Sequence, residues 1–228
     1  MGSIWLDGRL GGYPNVVTVL RNAGCAVAEF DGWQHRSRSS GGMTDFRAII
    51  VHHTASSTTP ANDLHYMVYG NPDAPVSNGL LDRTGLFTII AGGASNHAGS
   101  GGPWNCSRGQ VPKDSMNSHS FGIEAANAGT GEPWSQAQQE AYTRMVRALC
   151  DAYGLRNGTD TVAHREWAPS RKIDPAGASR WAQGADMWNM QAFRADVDAG
   201  WPAGSVPEDD DGTELAYPYQ RIRAERVR

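Results

Sequence analysis

RAIIVHH, residues 47–53, joins an unbroken apolar run to a pair of histidines. Ile49, Ile50 and Val51 are β-branched and show no polar alternation, the pattern of a strand covered on both faces in the middle of a sheet. Reading outward, helical and extended stretches take turns. Upstream, residues 15–23 carry Val16, Val19, Leu20 and Ala23 at helical spacing with Gly24 as a stop, and AVAEF (26–30) is strand-like. Downstream, Thr59-Pro60 opens a helix with Leu64, Met67 and Val68 inward and Gly70 at its end. LLDRTGLFTII (80–90) predicts a hairpin turning near Thr84-Gly85, and SFGIEAAN (120–127) a second short buried strand.

Residues 135–153 form the clearest helix: Ser135 and Gln138 predict a capping box, and Tyr142, Met145, Val146, Leu149 and Tyr153 fall on one stripe before Gly154. TVAH (161–164) predicts a last strand, and residues 190–197 a last helix. The alternation predicts an α/β fold, a mixed central β-sheet flanked by helices in one catalytic domain. Residues 1–44 are expected as an N-terminal extension packed on or leading into that domain, which spans 45–200. Residues 201–228, with EDDD and RIRAERVR, predict a charged tail or linker.

Composition removes several classes. Lys and Arg number 20 against 24 Asp and Glu, a net charge of −4 that argues against a nucleic-acid binder. No apolar run approaches the roughly 18 residues that span a bilayer. MGSIWLDGRLGGYP at the start has neither the basic patch nor the apolar stretch of a secretory signal, so synthesis in a cytoplasm is expected. Three widely spaced cysteines, Cys25, Cys106 and Cys150, make neither a disulfide framework nor a Cys-only zinc knot. Cys25 and Cys150 read as small buried residues, and Cys106 as exposed in its Gly-rich loop.

Chemistry concentrates in two places. His52 and His53 end the central strand; alternation sends them to opposite faces, so one at most aims at a given site, and by itself the doublet reads first as a pair bonded to nearby backbone. AHREWAPSRKIDPAG (163–177) adds His164 and, ten residues later, Asp174 in a loop stiffened by Pro169 and Pro175. Two histidines and one carboxylate are a set that zinc accepts while keeping a fourth position for water. Glu124, within an apolar strand, reads by itself as a solvated or ion-paired side chain, and Lys172 as a surface charge.

VHHTA (51–55), NSHSFGIE (117–124) and AHREWAPSRKIDPAG, in that order, resemble the zinc-dependent N-acetylmuramoyl-L-alanine amidases, the superfamily that phage lysozyme-type amidases share with peptidoglycan recognition proteins. NHAG (96–99) and EPW (132–134) extend the resemblance over about residues 13–200, with endolysins of phages infecting actinobacteria the most similar. It implies one zinc per chain held by His52, His164 and Asp174, with Glu124 as general base and Lys172 stabilising the oxyanion. It also implies that His97 lines the substrate groove, with a hydrogen-bonded loop histidine the other reading. Asn78 is a candidate substrate contact, and Trp104 either stacks on a sugar or anchors its loop.

The implied activity is hydrolysis of the amide between N-acetylmuramic acid and L-alanine in peptidoglycan, by a phage endolysin made in the host cytoplasm and released to the wall with a holin. A bacterial wall-recycling amidase, a non-catalytic peptidoglycan-binding module and a regulatory protein-binding role are the alternatives. One departure stands out: Ser77-Asn78 occupies the place where many relatives carry a Tyr or His.

Overall fold

A computed structural model describes residues 4–9, 12–38 and 41–200. The tail expected over 201–228 lies outside the described residues. Along the chain run β1 (Val27–Glu29), β2 (Ala48–Val51), β3 (Gly79–Leu81), β4 (Phe87–Ile89), β5 (Trp104–Cys106), β6 (Gly109–Val111), β7 (Ser120–Ala125) and β8 (Thr161–Ala163). Six of them build one sheet in the order β1-β4-β3-β7-β2-β8, while β5 and β6 form a separate hairpin. Only β3 and β4 pair antiparallel within the large sheet. The expected mixed, mostly parallel α/β sheet is therefore what forms.

All four residues of β2 are buried, because both faces of the sheet are covered. One face carries Ile49, Val51, Phe121 and Ile123 against α1 (Val16–Asn22), α3 (Gln136–Tyr153) and α6 (Met190–Ala199). The other carries Ala48, Ile50 and Val162 under a layer of loops, the β5–β6 hairpin, and Trp167 of the short helix α5 (His164–Trp167). The segment before residue 45 supplies β1 to the sheet edge and Leu6, Val16 and Leu20 to the helix-side core. No helix among the described residues is long and apolar enough to cross a membrane.

Capping chemistry explains the helix starts. Asn15 accepts from the Val17 and Thr18 amides, and Thr59 caps α2 (Pro60–His65) ahead of its N1 proline. Ser135 accepts from Gln138 N–H, but the second half of the predicted capping box does not form. Gln138 instead turns inward and donates to the carbonyls of Leu81 and Ala126, at 3.3 and 3.0 Å, where β3 and β7 end. Leu81 O also accepts from Ala126 N–H at 2.8 Å, so the side chain chiefly serves the buried Ala126 carbonyl, and that outweighs a cap water can replace. Cys106, expected exposed, is buried with Val111 and Trp167, because the β5–β6 hairpin folds it onto the loop-side core.

Candidate metal centre

Register brings three residues together. Val51 pairs with Ile123 of β7 and with Ala163 of β8. One step further along the parallel strands, His52, Glu124 and His164 stand level at the carboxyl ends, facing the loop side. Open α/β sheets gather their ligands at that edge. His53, of opposite parity, faces the helices.

Asp174 comes in from the loop after α5. Its Oδ2 lies 3.0 Å from His52 Nδ1 and 3.0 Å from His164 Nδ1, and the two Nδ1 atoms are 2.9 Å apart. All three residues are buried, and their ligand atoms lie within 4.8 Å of one another. His164 Nε2 is 2.9 Å from the Ala98 carbonyl, which can only accept, so the neutral ring carries its proton there and leaves the Nδ1 lone pair turned inward. Electron-rich atoms packed this closely repel unless a cation lies among them. The donors fit a divalent ion of borderline softness.

The surrounding chain holds Asp174 from several sides. Arg165 N–H donates to its carbonyl at 3.0 Å. His53 Nδ1 accepts from Ala176 N–H at 2.9 Å, and the Trp134 indole donates to Ala176 O at 3.0 Å. His53 thus ties the ligand loop to the strand that carries His52. Gly129 lies flat on that imidazole; a Cβ there would meet the ring at 2.4 Å. From α3, the Tyr142 hydroxyl accepts from His52 N–H at 2.8 Å and lies 2.9 Å from Ile123 O, fastening the ends of β2 and β7. Tyr142 and His53 escaped the sequence reading as site residues. A tyrosine on a buried helix stripe is the available signal, since its hydroxyl needs a partner.

Burial dominates the electrostatics. It lowers His52 to about 4, with the adjoining His164 acting in the same direction. For Asp174 burial acts upward, but the adjoining His164 and His52 imidazoles outweigh it and hold the carboxyl well below the usual carboxylate range. Glu124 is pushed well above its ordinary value by burial and then by the Asp174 charge, with Lys172 pulling the other way. Its Oε1 is 3.8 Å from His52 Nδ1, while Oε2 is buried with no hydrogen-bond partner among the described residues. A cleft of about 400 Å³ opens beside Glu124, between Thr54, Ser56, Asp63 and Tyr66.

The sequence profile described as N-acetylmuramoyl-L-alanine amidase matches residues 42–177. The chain belongs to that amidase family. A sequence comparison with curated proteins finds no match. Among solved structures, the amidase is similar to the endolysin amidase LysCS of Clostridium intestinale URNW, at 15% identity and a TM-score of 0.50, over 75% of this chain and 95% of that one. It is also similar to AmpDh3 of Pseudomonas aeruginosa, at 17% identity and TM-score 0.53, over 75% and 66% of the two chains. A third is AmiD of E. coli, solved with anhydro-N-acetylmuramic acid-L-Ala-D-gamma-Glu-L-Lys, at 21% identity and TM-score 0.51, over 78% and 68%. These likenesses are of fold.

The amidase brings His52, His164, Asp174 and Glu124 together, and Lys172 lies near enough for its charge to act on both Glu124 and His52. Two expectations need correction. Asn78 is fully buried and its amide is spent inside the core: Nδ2 donates to Ala91 O and Gly93 O, and Oδ1 accepts from Gly122 N–H and Ser95 Oγ. It has nothing left for a substrate. His97 does not line a groove either; it is 6% exposed and lies behind His52, with Nδ1 3.0 Å from His52 Nε2. Ser77 is likewise buried, with Oγ donating to Gly122 O at 2.8 Å. Trp104 anchors its loop through Nε1 to Thr159 O at 2.9 Å, and also borders a second cleft of about 520 Å³ with Lys113 and Arg171.

Proposed function

We propose that this amidase holds one zinc ion with His52, His164 and Asp174 and hydrolyses the amide between the lactyl group of N-acetylmuramic acid and the L-alanine of the peptidoglycan stem. The observation that carries the reading is the convergence of two Nδ1 atoms and one carboxylate oxygen beside a carboxyl with an unpaired buried oxygen. Three protein ligands suit a catalytic site, since structural zinc is usually closed by four. A bound zinc supplies Lewis acidity to the carbonyl oxygen and to water.

The chain's own residues do the rest. Glu124 takes a proton from the attacking water and returns it to the departing amine nitrogen, so that water adds across the C–N bond. A carboxyl raised by burial lies closer to neutrality, where one group can both accept and give. Lys172 offers its charge to the oxyanion that forms as the carbonyl carbon becomes tetrahedral. The cleft beside Glu124 and the one bordered by Trp104 leave room for a polymer to lie across the site.

In this reading the protein serves as a phage endolysin, made in the host cytoplasm and reaching the wall through a holin. The fold is shared with the endolysin LysCS and equally with AmpDh3 and AmiD. Digestion of purified peptidoglycan followed by mass spectrometry tests the whole proposal. Stem peptides with a free L-alanine amine, no new reducing ends, and activity removed by chelator and restored by zinc are expected. New reducing ends would indicate a glycosidase, and no products a binding module. Activity confined to soluble anhydro-muropeptides, with intact wall untouched, would make it a recycling enzyme.

A further inference from the structure

We propose that the dipeptide His97-Ala98 is the proton template of the metal site: the His97 side chain and the Ala98 carbonyl together hold both ligand histidines in the tautomer that turns Nδ1 toward the ion. His97 is thereby a positioning residue, acting through His52. The inference rests on the reading of His52 and His164 as metal ligands.

Hydrogen-bond directions carry the argument. Ser120 Oγ lies 2.7 Å from the Met116 carbonyl, which can only accept, so the single hydroxyl proton goes there. Oγ must then accept across its 3.2 Å contact with His97 Nε2, and the imidazole proton sits on that nitrogen. A buried imidazole with no anion on either nitrogen stays neutral, so His97 Nδ1 carries a lone pair. That lone pair faces His52 Nε2 at 3.0 Å, and His52 must donate to it. His52 Nδ1 also faces the Asp174 carboxylate at 3.0 Å, a second acceptor for its one proton; the His97 contact commits that proton to Nε2 and leaves Nδ1 bare for the ion. The adjacent residue does the same for the second ligand, because Ala98 O accepts from His164 Nε2 at 2.9 Å.

The dipeptide itself is fixed. Ala98 N–H donates to Asn117 Oδ1 at 2.7 Å, and Arg171 Nη2 donates to Ala98 O at 2.5 Å. Gly122 of β7 leaves the space that the His97 ring fills; a Cβ there would stand 2.5 Å from its Cγ. Metal-bound histidines generally hand their second N–H to a carboxylate, carbonyl or water, and losing that partner costs about 10–100-fold in metal affinity or activity. Here one of the two acceptors is another imidazole.

Two readouts test this. In the metal-free protein, long-range proton–nitrogen NMR reads the His52 tautomer directly; Nε2–H is expected, and Nδ1–H overturns the proposal. Zinc affinity by chelator competition is then compared for wild type, His97→Leu and His97→Asn, whose Oδ1 takes the place of Nδ1. His97→Leu is expected to bind about 10–100-fold more weakly, and His97→Asn to recover most of that loss. Equal affinity in all three, or Asn no better than Leu, overturns the proposal, the latter because it would leave His97 a packing role only. If His97→Leu does not fold, the wild-type tautomer and the His97→Asn affinity still decide. Failure of the wild type to bind zinc would remove the metal reading instead, and the NMR result would stand apart from it.

Discussion

Glu124 Oε1 and His52 Nδ1 lie 3.8 Å apart across the paired ends of β7 and β2, with the other oxygen of Glu124 buried and without a hydrogen-bond partner among the described residues. A carboxylate is costly to bury without partners, so the fold carries this group at the expense of its own stability, as acid–base sites commonly do. Glu124→Gln should therefore keep the fold and the metal, melt no lower than wild type, and lose about 10²–10⁴-fold in turnover. Metal content, thermal melting and peptidoglycan hydrolysis measured on one preparation check this. Full activity in the variant would remove Glu124 from the chemistry.

Removing a ligand should act on the metal first. Metal analysis of purified protein should find about one zinc per chain, falling close to zero in His164→Ala and Asp174→Ala, with hydrolysis lost in parallel.

His53 ties the Asp174 loop to β2 through the Ala176 amide. His53→Ala leaves that buried N–H unpaired, at about 1–3 kcal/mol, and should loosen zinc binding although His53 is not itself a ligand. Urea unfolding and chelator competition give the two numbers. A variant destabilised but wild-type in zinc affinity would show that the tie does not reach Asp174.

Asn78→Ala should lower stability, without raising KM in whatever protein remains folded. Two donors and two carbonyls lose their partner in the core, which costs about 3 kcal/mol or more and lowers the melting temperature by about 10 °C. An undiminished melting temperature with a raised KM would return Asn78 to the substrate.

Acid should weaken the metal-free protein well above the carboxylate range. His52 is lowered to about 4 in the fold against an ordinary 6.5. Between those values the unfolded chain binds a proton that the folded one refuses, so stability is fully present above about 6.5 and declines as pH falls toward 4. The shift corresponds to about 3 kcal/mol for this residue, and burial lowers His97 and His53 in the same direction. Glu124, pushed upward in the fold, takes up a proton over the same range and works the other way, so the urea midpoints are read in metal-free Glu124→Gln, where they should fall steadily from pH 7.5 to 4.5; a flat profile there would contradict neutral burial of these rings.

Much of this protein is written locally. The β-branched run of residues 48–51 requires cover on both faces wherever it sits, and the Asn15, Thr59 and Ser135 caps start their helices because the side-chain oxygen and the orphan amides are near neighbours in sequence. Alternation along one strand was enough to separate His52 from His53. What those local rules could not reach were the partners. His97, on the family resemblance, and Asn78, at the place where many relatives carry a Tyr or His, both stood as candidate substrate contacts, because their distant partners are invisible along the chain. Tertiary packing brought His52 to His97, 45 residues away, and Asn78 to Gly122. Strand register, set between chains of atoms far apart in sequence, then decided that His52, Glu124 and His164 stand level. Residue type determined which groups were able to bind a metal or move a proton; only the folded sheet decided which faced the site and which held it from behind, because hydrogen bonds over such separations exist only once the core has closed around them.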